Sequence, residues 1–326
     1  MHMKYRKYLM EGGLELFSSG ANVIQPHSLY HIKRDEALRD ILEGCNLYMI
    51  SRRRRISIDP NSFKLVGNSL TGDFLVQDGL EHERFAFTYT PDETIVAAQA
   101  VSYPEDRVVL TTNTGASLNL SMMSFMTQCQ YDLDGADELE ILYIGKAYGQ
   151  SGERLAIDRL EAHSTFQRIL ADTLFSKPDH EIQILMFRFE HYKKHASGAG
   201  DFSLTPIATD DESIDHFYDV MNAEFDRENR VLLAEAGLIR YFEPEYNKMY
   251  KKTFPSDKHK ILADILSKDF SGLTVQVDTQ NIKTSVYSRK VNSFVPNLSV
   301  IHPHVHIAKI PLNTKDERES FLHGFL

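Results

Sequence analysis

The sequence predicts an α+β fold in which a small antiparallel sheet flanked by helices is preceded by a mostly β domain and followed by a C-terminal α/β extension. Short strand-like runs separated by turn residues fill residues 56–124. The apolar run LEILYIG at residues 139–145 is followed by segments with helical periodicity. The chain has 326 residues, which is more than one small domain needs. We therefore expect several domains.

Residues 1–124 are expected to form the N-terminal domain. Apolar residues recur with helical periodicity over residues 27–50. The strand-like runs that follow are separated by turn residues, at Asp73, Asp78-Gly79, Pro91-Asp92 and Asn113-Thr114-Gly115. They predict a mostly antiparallel sheet or a small barrel. Substrate selection, homo-oligomerisation or contact with a protein partner are the natural roles of such a domain.

A β-hairpin is expected at the start of the central domain, residues 125–250. The strand-like sequence QYDL contains Tyr131, and the sequence DGAD at 134–137 supplies Gly and Asp for a turn. The strand 139–145 follows. This hairpin would put Tyr131 and Tyr143 on neighbouring antiparallel strands.

Two helices and a third strand are expected to complete the central domain. Arg159 and His163 are four residues apart, so they project from one face of the first predicted helix. The apolar run at 181–189 predicts the third strand. The second helix is predicted over residues 231–242, with Glu235 off its apolar stripe.

A long insertion at about 190–229 interrupts the central domain. Residues 193–211 are rich in Gly, Ser and Asp and predict an exposed loop, whereas residues 212–229 predict an acidic amphipathic helix. The C-terminal extension, residues 251–326, is expected to pack on the central domain. Its predicted elements are a lysine-rich helix at 258–268, strands at 273–277 and 283–288, and a final strand in VHIAKIPL.

The polar residues of the central domain resemble, in order and partial spacing, the motif of the GIY-YIG nuclease family. The residues that carry the resemblance are Tyr131, Tyr143, Arg159, His163, Glu235 and Asn247. The runs YIGKA, which brings in Lys146, and LAEAGLI followed by PEYN are similar to the excision-repair branch of that family. The first motif reads Cys129-Gln130-Tyr131, and the gap after Tyr143 leaves Arg154 as an alternative to Arg159.

The resemblance implies a divalent-metal-dependent endonuclease that hydrolyses phosphodiester bonds in DNA. Glu235 would hold Mg²⁺ or Mn²⁺, since one carboxylate with waters and a substrate phosphate is an ordinary Mg²⁺ site. Arg159 would hold the scissile phosphate, and Tyr131 would accept the proton of the attacking water. Tyr143, His163 and Lys146 would support Tyr131, while Asn247 would tie the following loop to the site. The alternative is a GIY-YIG-fold module that engages a protein or nucleic-acid partner without turnover.

The charge distribution argues against sequence-blind binding of DNA. The formal net charge is −10, and residues 56–140 carry 3 basic and 14 acidic side chains. The best phosphate-facing patches are the run Arg52–Arg55, which also suits a solvated turn, and the basic residues Arg154, Lys248, Lys251 and Lys252 near the expected site.

The remaining features indicate a cytoplasmic protein with no membrane segment. No apolar run reaches the length of a membrane span, and the N-terminal residues lack the apolar core of a signal peptide. The two cysteines, Cys45 and Cys129, are far apart, so neither a disulfide framework nor a zinc site is indicated. Three histidines at every second position, His302, His304 and His306, would lie on one side of an extended segment. They could bind a transition metal, or they could belong to an exposed strand or loop.

Overall fold

The computed structural model describes residues 5–32, 34–146, 160, 163–198, 203–256, 258–295 and 298–312. It is a mixed α+β structure. The strands are β1 (Glu11–Phe17), β2 (Ala21–Ile24), β3 (Leu47–Arg54), β4 (Ile56–Ile58), β5 (Lys64–Val66), β6 (Ser69–Asp78), β7 (Glu81–Tyr89), β8 (Ile95–Ala100), β9 (Arg107–Thr112), β10 (Ser117–Ser121), β11 (Gln130–Tyr131), β12 (Leu139–Lys146), β13 (His180–Phe187), β14 (His191–Ser197), β15 (Gly272–Asp278), β16 (Val286–Tyr287) and β17 (Val305–Pro311). The α-helices are α1 (Leu29–Ile32), α2 (Glu36–Leu42), α3 (Met122–Met126), α4 (Ser164–Ser176), α5 (Asp210–Asn222), α6 (Arg227–Phe242), α7 (Ala263–Ser267) and α8 (Leu298–Ile301).

A five-stranded central sheet organises the main body of the protein. Its strands lie in the order β16-β12-β3-β13-β2, and β3 pairs antiparallel with both β12 and β13. The first five residues of β3, LYMIS, are all buried. A strand covered on both faces shows no polar alternation, so its sequence does not distinguish it from a buried helix. The helix expected over residues 27–50 is therefore wrong beyond Leu42, where α2 ends.

A second sheet packs on one face of the central sheet. Its strands lie in the order β14-β1-β15-β17. Strand β14 occupies part of the segment 193–211 that was expected to be a loop. One apolar core joins the two sheets and includes side chains such as Leu16 and Val275 from the second sheet and Leu47 and Ile144 from the central sheet. The opposite face of the central sheet is covered by α1, α2 and α4, which form a separate core with it.

Helix α6 lies against both sheets and positions the chain that follows it. Asp226 caps its start by accepting a hydrogen bond of 2.7 Å from the Asn229 N–H. The helix ends at Phe242, as predicted, because Glu243 adopts a left-handed conformation and Pro244 follows. A Cβ on Gly237 would lie 2.8 Å from a Val275 methyl, so glycine allows α6 to approach the second sheet closely.

The strand-rich segment predicted in the N-terminal region forms an inserted unit, residues 55–138, between β3 and β12. It contains a five-stranded sheet, ordered β11-β7-β6-β4 with β5 on β6, and a three-stranded sheet, ordered β10-β9-β8. Aromatic rings fill its core, with Phe74 stacked on Phe87 at 4.4 Å and Phe125 edge-on to Phe87 at 5.4 Å.

The predicted domain boundary at residue 124 does not coincide with these sheets. Strands β1, β2 and β3 pair with β14, β15, β13 and β12, all of which come later in the chain. Residues 11–54 therefore share their sheets with residues 139–311, and the β-rich unit begins at about residue 55.

Helix α5 also differs from its prediction over 212–229, since it begins at Asp210 and ends at Asn222. In the part of the chain that the structure describes, no helix has the length and apolarity of a membrane span.

Candidate functional site

Two tyrosines meet on adjacent strands of the central sheet. Tyr48 lies on β3 and Tyr143 on β12, and their ring centroids are 6.1 Å apart. Both side chains lie on the sheet face that α4 covers. Tyr48 is fully buried, whereas Tyr143 is half-buried. Two tyrosines therefore lie on antiparallel neighbours, and the partner of Tyr143 is Tyr48, whereas Tyr131 was expected.

Gly145, two residues after Tyr143, makes room for the two tyrosine rings. It is the register partner of Tyr48, so a side chain here would leave the sheet on the same face as the two rings. A Cβ on Gly145 would lie 2.6 Å from the Tyr48 hydroxyl oxygen and 2.8 Å from a Tyr143 ring carbon. Because glycine has no side chain, the Tyr48 hydroxyl can occupy this space.

His163 completes an aromatic cluster with the two tyrosines. It is the residue immediately before α4, and its Nε2 lies 3.5 Å from the Tyr143 hydroxyl. The Tyr48 ring stands edge-on to the imidazole at 6.4 Å, with an interplanar angle of 85°. This ring fixes the imidazole plane beside the Tyr143 hydroxyl. We refer to Tyr48, Tyr143 and His163 as the tyrosine–histidine cluster.

Asn247 ties the loop after α6 to the edge of β12. Its Oδ1 accepts from the Ile144 N–H at 2.9 Å, and its Nδ2 donates to the Ile144 carbonyl at 2.8 Å. The side-chain amide thus imitates the peptide group of a neighbouring strand. The Tyr246 N–H donates to the Leu142 carbonyl at 3.0 Å. Asn247 is buried, so the expectation that it ties this loop to the site agrees with its contacts.

Lys146 lies on the α6 side of the central sheet, and Glu235 lies on α6 itself. Lys146 is the register partner of Leu47, whose side chain lies in the core shared with α6, and paired residues share a face. Glu235 is half-buried and precedes Gly237 by two residues, which is a rotation of about 200° around the helix. Since Gly237 faces the second sheet, Glu235 lies on the side of α6 that faces away from that sheet.

The environment of Glu235 contains a further tyrosine. Burial raises the pKa of Tyr250, and the carboxylate of Glu235 raises it further. The described residues include no group of three or more His, Cys, Asp or Glu side chains that could hold a metal ion. A metal at Glu235 would therefore have at most two such side chains as ligands among the described residues, which suits Mg²⁺ because this ion keeps several waters and takes substrate oxygens as ligands.

Tyr131 lies elsewhere, and its predicted pairing with Tyr143 is wrong. Its strand, β11, pairs with β7 in the inserted unit, whereas β12 pairs with β3. The Tyr131 hydroxyl lies 3.4 Å from an Asp137 carboxylate oxygen, and its ring stands edge-on to Phe74 at 5.5 Å. Burial and the Asp137 charge raise the pKa of Tyr131. These contacts are those of a core tyrosine of the inserted unit.

Three of the predicted phosphate-binding residues lie beyond Asn247. Lys248 and Lys252 are exposed, and Lys251 is half-buried with its carbonyl accepting from Arg240 at 2.7 Å. Arg154 and Arg159 lie outside the described residues, so the choice between them stays open.

The first three residues of the arginine run predicted as a turn or a phosphate-facing patch, Arg52 to Arg54, are part of β3. Three of its members pair with carboxylates, Arg52 with Glu140 at 2.8 Å, Arg53 with Glu181 at 2.8 Å and Arg54 with Glu83 at 2.7 Å. The Arg53 side chain is fully buried. The Arg52 and Arg53 pairs lie within the central sheet, and the Arg54 pair joins this sheet to the inserted unit. Their carboxylate partners leave these three arginines poorly suited to phosphate.

The alternate histidines near the C-terminal end do not form a ligand set. His306 is buried beside Phe242, its Nδ1 lies 3.3 Å from the Tyr241 hydroxyl, and burial lowers its pKa to about 4. The His304 Nδ1 lies 2.9 Å from the Ser285 hydroxyl. Both cysteines are buried thiols, as expected for Cys129.

Sequence reasoning missed Tyr48 because it precedes Tyr143 by 95 residues, far more than a hairpin allows. The available signal was the apolar run LYMI directly after the turn residues Gly44 and Asn46. Comparisons with known proteins do not add a relative: no protein-family model, curated protein or solved structure matches the chain.

Proposed function

We propose that this protein is a divalent-metal-dependent endonuclease of the GIY-YIG type that acts on DNA, with its site around the tyrosine–histidine cluster. The observation that carries the proposal is the placement of Tyr48 and Tyr143 on paired strands, with Gly145 making room for them and His163 beside Tyr143. Lys146 ends β12, Asn247 binds the same strand at Ile144, and Glu235 lies on α6, the helix that packs against β12.

Tyr143 and His163 are suited to accept the proton of an attacking water. A tyrosine hydroxyl has a pKa of about 10, which makes it a weak acceptor at neutral pH on its own. The neutral imidazole can take the hydroxyl proton through Nε2 at 3.5 Å while the phenol oxygen takes one from water. Contacts of this kind are often long before substrate binds and shorten in the complex. Tyr48, being fully buried, positions the imidazole and does not meet the water.

Tyr131 has no part in this proposal. Its hydroxyl belongs to the core of the inserted unit, and the nearby Asp137 carboxylate opposes formation of a phenolate.

Glu235 would hold the metal ion on the α6 side of the sheet. When bound, Mg²⁺ or Mn²⁺ would offset the negative charge that grows on the phosphoryl oxygens. Lys146 lies on the same side of the sheet and supplies a fixed positive charge. The exposed Lys248 and Lys252 extend the positive charge along the loop after Asn247, where they can contact the DNA backbone.

The test compares Glu235→Gln with a matched control, Glu228→Gln, on supercoiled plasmid, short duplex and branched DNA with Mg²⁺, Mn²⁺ or EDTA. Glu228 is an exposed glutamate of the same helix, so both variants lose one charge from α6. We expect metal-dependent cutting by the native chain and by the control, and a loss of roughly 100-fold or more in Glu235→Gln. Equal cutting by both variants would remove Glu235 as the ligand.

The same assay separates the nuclease from a module that binds without turnover. Such a module would cut none of the substrates, would be indifferent to EDTA, and would keep its partner binding in Glu235→Gln. Cutting of RNA but not DNA would keep the site and change the substrate.

A further inference from the structure

A groove of about 760 Å³ runs along the outer edge of β2. Strand β13 separates β2 from β3, which carries Tyr48 of the tyrosine–histidine cluster. It is lined from both faces of the central sheet, by Ile32 and Leu42 on one side and by Gln183 and Ile282 on the other. Its second wall is formed by β10 and α3 of the inserted unit. The volume is within the range of about 300–1,000 Å³ that is typical of ligand sites.

Backbone groups of β2 point into this groove. The Ala21 N–H donates to the Asn281 Oδ1 at 2.9 Å, and the Asn281 Nδ2 donates to the Ala21 carbonyl at 2.7 Å. The peptide groups of Ala21 therefore point away from β13, and strand alternation directs those of Val23 the same way. Val23 lines the groove, and no hydrogen bond to its outward N–H or carbonyl occurs among the described residues.

Strand β10 presents a second open edge on the opposite wall. The residues that flank β10 bond towards β9. The Ala116 carbonyl accepts from the Thr112 N–H at 2.9 Å, and the Met122 N–H donates to the Asp106 carbonyl at 2.8 Å. Alternation then directs the backbone groups of Asn119 and Ser121 away from β9, and both residues line the groove. Two strand edges with outward donors and acceptors thus border one cavity.

The residues that line the groove indicate which side chains a bound molecule would carry. Arg107 is the one charged side chain among the described lining residues, and it donates to the His27 Nε2 at 2.8 Å. Leu38 and Ile41 are exposed at one rim. In the floor, the fully buried Gln183 amide has no hydrogen-bond partner for either Oε1 or Nε2 within the described part of the chain.

We propose that the groove binds an extended peptide segment of another protein, which adds as a strand to the edge of β2 and places a carboxylate side chain near Arg107 and apolar side chains against Leu38 and Ile41. A peptide in strand conformation offers a carbonyl and an N–H at the spacing of the outward N–H and carbonyl of Val23. The Asn281 amide already pairs with Ala21 as a strand would, so the edge has the geometry for an amide partner. This binding is independent of the nuclease site.

The test selects ten-residue peptides from a random phage-displayed library on the full chain and measures the synthesised peptides by fluorescence anisotropy. Single N-methylation along a selected peptide should weaken binding most at the residue that pairs with Val23, because the Ala21 groups of this edge are already bonded to Asn281. Val23→Pro removes one donor from the edge and should weaken binding about ten-fold. The N-methyl series uses the native chain and so decides the matter even if Val23→Pro does not fold.

Three outcomes would overturn the proposal. They are the absence of any selected peptide, a methylation series in which no single residue is sensitive, and equal affinity for a folded Val23→Pro. A concentration-dependent dimer that is lost in Val23→Pro, with no peptide bound, would assign the edge to a second copy of this chain instead.

Discussion

Replacing Asn247 with alanine should destabilise the protein through two backbone groups that Asn247 alone supports. The change removes the hydrogen bonds to the Ile144 N–H and carbonyl, which lie in a residue with 0% exposure. A buried donor or acceptor left without a partner costs about 1–3 kcal/mol. Some water can enter the space of the lost side chain, so we expect a total loss of about 2–4 kcal/mol.

This free energy converts to a shift of the melting temperature. The entropy of unfolding is about 2.1 cal/mol/K per residue, or roughly 0.7 kcal/mol/K for a chain of 326 residues. The expected fall in melting temperature is therefore about 3–6 °C. Cleavage of DNA should fall as well, because Asn247 fixes β12 between Tyr143 and Gly145.

Asn281→Ala is the matched control, since Asn281 makes the same two hydrogen bonds to Ala21 at the opposite edge of the same sheet. Asn281 is exposed, so water can replace its amide and the loss should be about 1–2 kcal/mol, or roughly 1–3 °C. Differential scanning fluorimetry gives both shifts, and amide hydrogen exchange reports the Ile144 N–H directly. Equal melting shifts in the two variants, or a protected Ile144 amide in Asn247→Ala, would refute this reasoning.

Two further predictions concern tyrosine and histidine chemistry. Tyr143→Phe should slow DNA cleavage roughly 10²–10⁴-fold at unchanged fold, whereas Tyr131→Phe should cut like the native chain; turnover that falls only in Tyr131→Phe would make Tyr131, and not Tyr143, the proton acceptor. Burial lowers the pKa of His306 from 6.5 to about 4, so between these pH values the unfolded chain binds a proton that the folded chain does not. Stability should therefore fall as the pH falls through this window, by up to about 3 kcal/mol, and urea midpoints should show a smaller fall in His306→Phe.

Local sequence patterns predicted the elements that have a clear period or a clear stop. The end of α6 at Phe242 follows from its apolar stripe and Pro244, and the strands β12, β13 and β15 follow from their short apolar runs. The contact of Asn247 with β12 agrees with the expected tie of this loop, because Asn247 follows α6 within one short loop. These inferences depend on contacts close in sequence.

The partners of β3 could not be predicted in the same way. Its neighbours β12 and β13 are separated from it by about 85 and 126 residues, and no local signal specifies such a pairing. The DGAD turn and the strand-like QYDL offered a nearer partner for β12, so Tyr131 was chosen over Tyr48. The identity of the paired tyrosine depends on the sheet, which is a long-range property.

The position of the inserted unit affects how the two tyrosine strands come together during folding. If residues 55–138 were still unfolded, joining β3 to β12 would close a loop of 84 residues instead of a turn of a few. Each doubling of loop length costs about 0.6 kcal/mol of chain entropy, so the extra cost is roughly 3 kcal/mol. A unit that folds first brings its own two ends together and removes most of that cost. The aromatic core around Phe74, Phe87 and Phe125 therefore sets the rate at which the strands of Tyr48 and Tyr143 find each other, although none of its rings belongs to the tyrosine–histidine cluster.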